Sequence, residues 1–200
     1  VLVIGAGISG LSAASVLAKQ GYSVTVVDNH ATPGGRCRKF EAEGFVFDMG
    51  PSWYWMPDVF EKFFNLFGYT TAQLMQLQRL SPSYRVFFDN EMVDIPSDLD
   101  ELKALFEQYE PGGADKLTAF LKDAQYKYEV GMADLVYKPS LSITEFIDFR
   151  LLKGLFSLSL FSSFTSHTKK YFKNEKLLEL LAFPVLFLGA KPQDTPALYS

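Results

Sequence analysis

Apolar runs punctuated by glycine organise the first part of the chain. Val1 to Ile4 is a short, mainly β-branched run of the kind that forms a strand buried on both faces. Gly5-Ala6-Gly7-Ile8-Ser9-Gly10 follows it directly. Leu11 to Gln20 then predicts a helix. Small Ala13, Ala14 and Ala18 suit close packing, and Gly21 is placed to end the helix. Tyr22 to Val27 predicts a second strand, finishing at Asp28. The order is strand, glycine turn, helix, strand.

Further along, the period of the pattern changes. Val59, Phe60, Phe63, Phe64 and Phe67 recur at helical spacing, so Pro57 to Phe67 reads as an amphipathic helix stopped by Gly68. Tyr84 to Asp89 and Met92 to Ile95 read as two strands. Their join at Asp89-Asn90 suits the positive φ of a tight hairpin turn. Ser97, with Asp100 three positions later, predicts a capped helix running to about Tyr109. Pro111-Gly112-Gly113 breaks the chain, and Ala114 to about Val136 predicts another helix. Leu151 to Phe164 is rich in Leu and Phe, but Lys153 and several serines leave it too polar and short for a membrane span, which needs about 20 apolar residues. With Lys169, Lys170 and Lys173 close behind, it fits either a helix lying in a bilayer interface or an ordinary core helix. Leu177 to Leu188 is interrupted by Glu179 and Pro184 and is not a span either.

Composition narrows the function classes. With 19 Phe, 10 Tyr and 2 Trp among 200 residues, the chain is unusually aromatic, which calls for a dry pocket, core or membrane surface. A net charge of −4 and the lack of a long basic run exclude nucleic acid as a partner. Cys37 is the only cysteine, which excludes an internal disulfide framework and a multi-cysteine metal site, and fits a reducing compartment. It lies between Arg36 and Arg38, yet no base or second cysteine accompanies it, so a buried or partly buried bystander is expected. His30 and His167 lack metal-ligand spacing and are expected to be solvated; no metal site is predicted. The chain opens without methionine and reads as the amino-terminal part of a longer protein.

The first strand-helix-strand unit carries the chemistry. Gly5 allows a tight turn, Gly7 lets backbone approach a pyrophosphate, and Gly10 lets helix and strand touch. Free amides and the positive dipole end at the helix start would face the phosphates, so Gly5, Ala6, Gly7, Ile8, Ser9 and Gly10 are candidate binding residues. Asp28, with Asn29 beside it, would take ribose hydroxyls, and its charge would repel a 2′-phosphate. That favours FAD or NAD over NADP. A βαβ unit with no ligand at all is the alternative. Downstream, the adjacent glycines of Pro33-Gly34-Gly35-Arg36 permit close backbone approach, and the arginine fork suits phosphate oxygens.

Gly34-Gly35-Arg36 and Gly44-Phe45-Val46-Phe47-Asp48-Met49-Gly50-Pro51-Ser52 resemble the extended signature of flavoproteins that include amine oxidases, protoporphyrinogen oxidase and the carotenoid desaturases. The resemblance implies FAD, with Gly34, Gly35 and Arg36 against its phosphates and the Gly50-Pro51-Ser52 turn near the flavin. Asp28 stands where that group more often has glutamate. Trp53, Tyr54 and Trp55 would line an apolar tunnel or fill core, but adjacent residues cannot all point inward. Taken with the phenylalanines of Pro57 to Phe67 and with Ser83-Tyr84-Arg85-Val86, the chain resembles a bacterial-type phytoene desaturase.

That resemblance implies an α/β, Rossmann-like, doubly wound FAD domain with an inserted α+β region. Residues 1–80 would start the FAD domain, and residues 81–200 would face substrate or membrane. The implied activity is FAD-dependent desaturation of phytoene or a related C40 carotenoid precursor, with no catalytic side chain assigned. The implied partner is an apolar isoprenoid. The implied place is the cytoplasm, including a peripheral position on the inner face of the cell membrane. The alternatives are an amine-oxidase or protoporphyrinogen-oxidase type of flavoenzyme, and a non-enzymatic prenyl-protein carrier of the GDP-dissociation-inhibitor type. Intact Gly10 and Arg36 argue against the carrier.

Overall fold

The structure is a computed structural model that describes residues 1–50, 53–132 and 162–200. These form two compact units, Val1–Gln78 and Arg79–Ser200.

In the first unit, β1 (Leu2–Ile4) and β2 (Thr25–Val27) pair in parallel, with Val3 opposite Val26, and α1 (Ile8–Lys19) connects them. This is the predicted Rossmann-like unit, with the helix starting three residues earlier and β2 shorter than expected. Burial differs from expectation. Leu2 is 60% exposed and Ile4 83%, because β1 has one strand neighbour and α1 covers the face taken by Val3, not theirs. Of the three small helix residues, Ala14 alone is buried. Of the expected doubly wound sheet, the described residues show one strand-helix-strand unit with two parallel strands.

A 3₁₀ turn at Gly35–Cys37 leads into the antiparallel hairpin of β3 (Lys39–Ala42) and β4 (Phe45–Asp48). Helix α2 (Pro57–Asn65) carries the phenylalanine row. Successive rings of Phe60, Phe64, Phe63 and Phe67 lie 5.2 to 6.3 Å apart. Tyr54 packs on Phe60 at 4.9 Å, while Trp53 and Trp55 face each other at 6.2 Å, so alternate residues take opposite sides. A single-turn helix, α3 (Thr71–Leu74), follows, closed by a capping box between Thr70 and Gln73.

The second unit opens with the hairpin of β5 (Tyr84–Phe87) and β6 (Met92–Ile95). Its turn closes through Phe88 N–H donating to the Glu91 carbonyl at 2.9 Å. Neither Asp89 nor Asn90 takes positive φ; among described non-glycine residues that is left to Glu43 and Met56. Helix α4 (Leu99–Tyr109) is capped by Asp98 rather than Ser97, its carboxylate accepting from Asp100 and Glu101 N–H. Helix α5 (Gly113–Val130) packs on α4. The described chain resumes before α6 (Phe164–Thr168) and α7 (Glu175–Ala182), the latter followed by 3₁₀ turns at Phe183–Leu188 and Ala197–Tyr199. Most of the Leu151 to Phe164 segment lies outside the described residues. Among those described, no helix is long and apolar enough to cross a membrane.

Period-2 and period-3.6 faces converge here on one core of Val93, Ile95, Phe106, Leu117, Phe120, Phe172, Leu177 and Leu180. Full burial of such a side chain stabilises by roughly 2 kcal/mol each. One buried polar clamp joins its edges. Glu110 accepts from the amides of Lys173 and Asn174 at 2.8 and 2.9 Å and from the Lys116 ammonium. Burial opposes its ionisation, but the Lys116 ammonium and the Asn174 and Lys173 amides bring its carboxyl down to about 2. His167, expected to be solvated, is 3% exposed.

Candidate dinucleotide site

The site is built almost wholly from main chain. At the end of β1, Gly5 takes φ +103°, and its N–H donates to the Val27 carbonyl at 2.7 Å, tying the turn to β2. Gly7 then begins α1 with no side-chain cap, leaving the first-turn amides without intrahelical acceptors. At Gly10, a Cβ would stand 1.9 Å from the Gly5 carbonyl oxygen and 3.5 Å from a Val3 methyl. Helix and turn are in contact there only because that atom is missing.

The second glycine pair completes the wall. Gly34 N–H donates to the Ala6 carbonyl at 2.7 Å, and Gly7 and Gly34 form an isolated parallel bridge. A Cβ on Gly35 would meet Gly7 Cα at 3.0 Å. Gly50 lies against the same loop, where a Cβ would stand 2.3 Å from the Arg36 carbonyl oxygen. Gly5, Gly7, Gly10, Gly34, Gly35 and Arg36 thus line one cleft of about 430 Å³, together with Ile8 and Ser9. Arg36 is exposed and has no ion-pair partner among the described residues. Its guanidinium is available to an anion.

Asp28 is tied to the glycine turn. One carboxylate oxygen accepts from Ala6 N–H at 2.6 Å; the other accepts from His30 N–H at 2.8 Å and lies 3.2 Å from His30 Nδ1. The Ala6 amide, then the His30 amide and ring, hold this carboxyl at about 2, against its usual 3.8. It is therefore ionised throughout the neutral range. A carboxylate has about four acceptor positions, so those not taken by Ala6 and His30 remain for hydroxyl donors. Asn29 is exposed in the bend that follows.

The structure brings the predicted Gly5 to Gly10, Asp28, Gly34 to Arg36 and Gly50 into one neighbourhood. Pro51 and Ser52 lie outside the described residues. Two participants escaped the pattern. His30 braces Asp28, and Arg38 braces the glycine loop by donating to the Gly35 carbonyl at 3.0 Å. Their nearness in sequence to Asp28 and Arg36 was the available signal. Cys37, expected to be at least partly buried, is exposed. Among the described residues no three His, Cys, Asp or Glu side chains converge as metal ligands would.

A helix tip freed of side chains, facing an ionised carboxylate at the next strand end, defines a Rossmann-type dinucleotide-binding protein. Comparison with known proteins agrees: residues 3–70 match the NAD(P)-binding Rossmann-like domain family. The whole chain aligns with a carotenoid 3,4-desaturase of Haloarcula japonica, 41% identical over 100% of this chain and 41% of that protein. It also aligns with 4,4′-diapophytoene desaturases of Staphylococcus aureus, 34% identical over 100% of this chain and 40% of theirs. Over its whole length the chain is thus similar to carotenoid desaturases. It spans about two fifths of the length of these relatives.

Proposed function

We propose that this chain holds the adenosine and diphosphate part of FAD in a carotenoid desaturase that dehydrogenates phytoene or a related apolar C40 precursor. The observation that carries the reading is the Ala6–Asp28 hydrogen bond, which sets the ionised carboxylate beside the glycine turn at the start of α1. The amides of Gly7 to Gly10 would meet the diphosphate, backed by the helix dipole. Gly34 and Gly35 would let it lie against the chain, and Arg36 would pair with its oxygens. Asp28, with Asn29 at the rim, would hold the adenosine ribose and exclude a 2′-phosphate. Gly50, Pro51 and Ser52 would lead towards the flavin.

When bound, FAD supplies a hydride acceptor, so this chain needs to position and shield rather than exchange protons. Residues 1–80 belong to the cofactor domain in this reading, and residues 81–200 to a substrate- and membrane-facing region. An apolar isoprenoid dissolves in a bilayer, which favours a cytoplasmic protein seated peripherally on the inner face of the cell membrane. The lysines after Leu151 to Phe164 suit that surface. The test is the complete protein, purified and also expressed in a phytoene-accumulating cell. It is expected to carry FAD, to form longer-wavelength polyenes and to float with anionic liposomes. A colourless protein that FAD cannot reconstitute would remove the cofactor assignment, and flavin without polyenes would remove the substrate.

A further inference from the structure

Helix α5 buries a lysine as well as Leu117 and Phe120. The side chain of Lys127 is 1% exposed. Its ammonium lies 2.7 Å from Asp123 Oδ2, 3.0 Å from His167 Nε2, 3.0 Å from the Ala197 carbonyl and 2.7 Å from Ser200 Oγ. His167 Nε2 is itself 2.9 Å from the same Asp123 oxygen. One carboxylate oxygen therefore faces two basic groups. Through them α5, α6 and the 3₁₀ turn Ala197–Tyr199 meet at a single buried point.

The cluster accommodates one ring proton and not two. The ammonium gives its three N–H bonds to His167 Nε2, the Ala197 carbonyl and Ser200 Oγ, so Nε2 accepts and the one ring proton sits on Nδ1. Nδ1 is buried and has no partner among the described residues. A second proton would go to Nε2, where it removes the acceptor of one Lys127 N–H and sets a cation 3.0 Å from the Lys127 ammonium. We propose that this cluster is a proton-sensitive fastening, which holds the Ala197–Tyr199 turn on α5 and α6 while His167 is neutral and lets it go when the ring takes a second proton.

Every charged or titratable group facing the ring fits this sense except one. Lys127 on α5 and Lys170 beyond α6 oppose the extra charge, Asp123 favours it, and Tyr171 packs edge-on at 5.4 Å. Burial and then Lys127 win, holding the imidazole below its usual 6.5. Burial likewise lowers the Lys127 ammonium, against the pull of Asp123. For a ring with depressed basicity, the fastening is intact above the unfolded value and is lost as pH falls through the folded one. The opened form holds one more proton in that window, so opening rises about tenfold per pH unit.

Hydrogen exchange on the complete protein tests this at two amides that bond across the junction. Phe164 N–H donates to the Thr195 carbonyl at 2.7 Å, and Ala197 N–H to the Ser162 carbonyl at 2.8 Å. Their protection factors are expected to fall about tenfold per pH unit below about pH 6.5 in the native protein. In His167→Gln they should stay flat, and amides of α4 should be flat in both. Equal pH dependence in the two proteins would overturn the proposal. If His167→Gln does not fold, the native ring titration decides: a midpoint below the usual value supports the fastening, and one at or above it refutes the fastening.

Discussion

The two units use their side chains in opposite ways. Of the buried apolar residues, the first unit contributes Ala6 and Ala14, while the core-forming valines, leucines and phenylalanines lie in the second. The first unit instead spends its sequence on missing side chains and on one carboxylate held by Ala6 and His30. The contrast teaches that binding geometry and fold stability reside in different stretches of this chain, so they should fail separately when perturbed.

Three substitutions in the complete protein would sharpen or break that separation. Gly10→Ala should have the largest effect, since its Cβ would lie 1.9 Å from a backbone oxygen that belongs to the turn itself. Flavin retention, measured by absorbance after gel filtration, should be lost while the second unit keeps its denaturation midpoint. Next, Leu117→Ala removes a side chain that is 1% exposed, and should lower unfolding free energy by about 3 kcal/mol in a denaturant titration. Flavin affinity at low denaturant should hardly change. Smallest is Asp28→Asn, which keeps the shape but removes the charge that would accept hydroxyl donors in the proposed site. It should weaken FAD by roughly tenfold in a fluorescence titration and leave the midpoint unaltered. Should Gly10→Ala unfold the second unit, or Leu117→Ala release flavin, the units are coupled and the contrast fails.

Local signals were legible where the physics is local. The βαβ order, the hairpin Tyr84–Ile95 and the helix after Gly112 follow from periodicity and glycine placement over a few residues. Gly5 to Gly10 were legible for the same reason, and Asp28 because the strand-helix-strand unit fixes its place at the end of the second strand. Long-range burial was not. Leu2 and Ile4 look like core because their type does, but burial needs neighbours that periodicity cannot count. His167 looked like a solvated residue because its partners, Asp123 and Lys127, lie 44 and 40 positions away. Ser97 and Asp98 both offer a capping oxygen, and the true cap was decided by where α4 starts. Cys37 is exposed because the 3₁₀ turn Gly35–Cys37 turns its own backbone inward against Gly50.

The near-contact of Gly7 and Gly35 has a consequence for selectivity. Two loops 28 residues apart in sequence form a single seam of peptide groups, with no functional group in it to titrate, oxidise or exchange. In the proposed function such a seam would recognise the outline of a diphosphate and be blind to what either end of the dinucleotide carries. Discrimination among adenine dinucleotides must then come from outside it, from the acid at the sugar end and from whatever meets the redox ring. A chemist seeking to retune this protein's choice of cofactor should therefore leave the seam untouched and work at its two flanks.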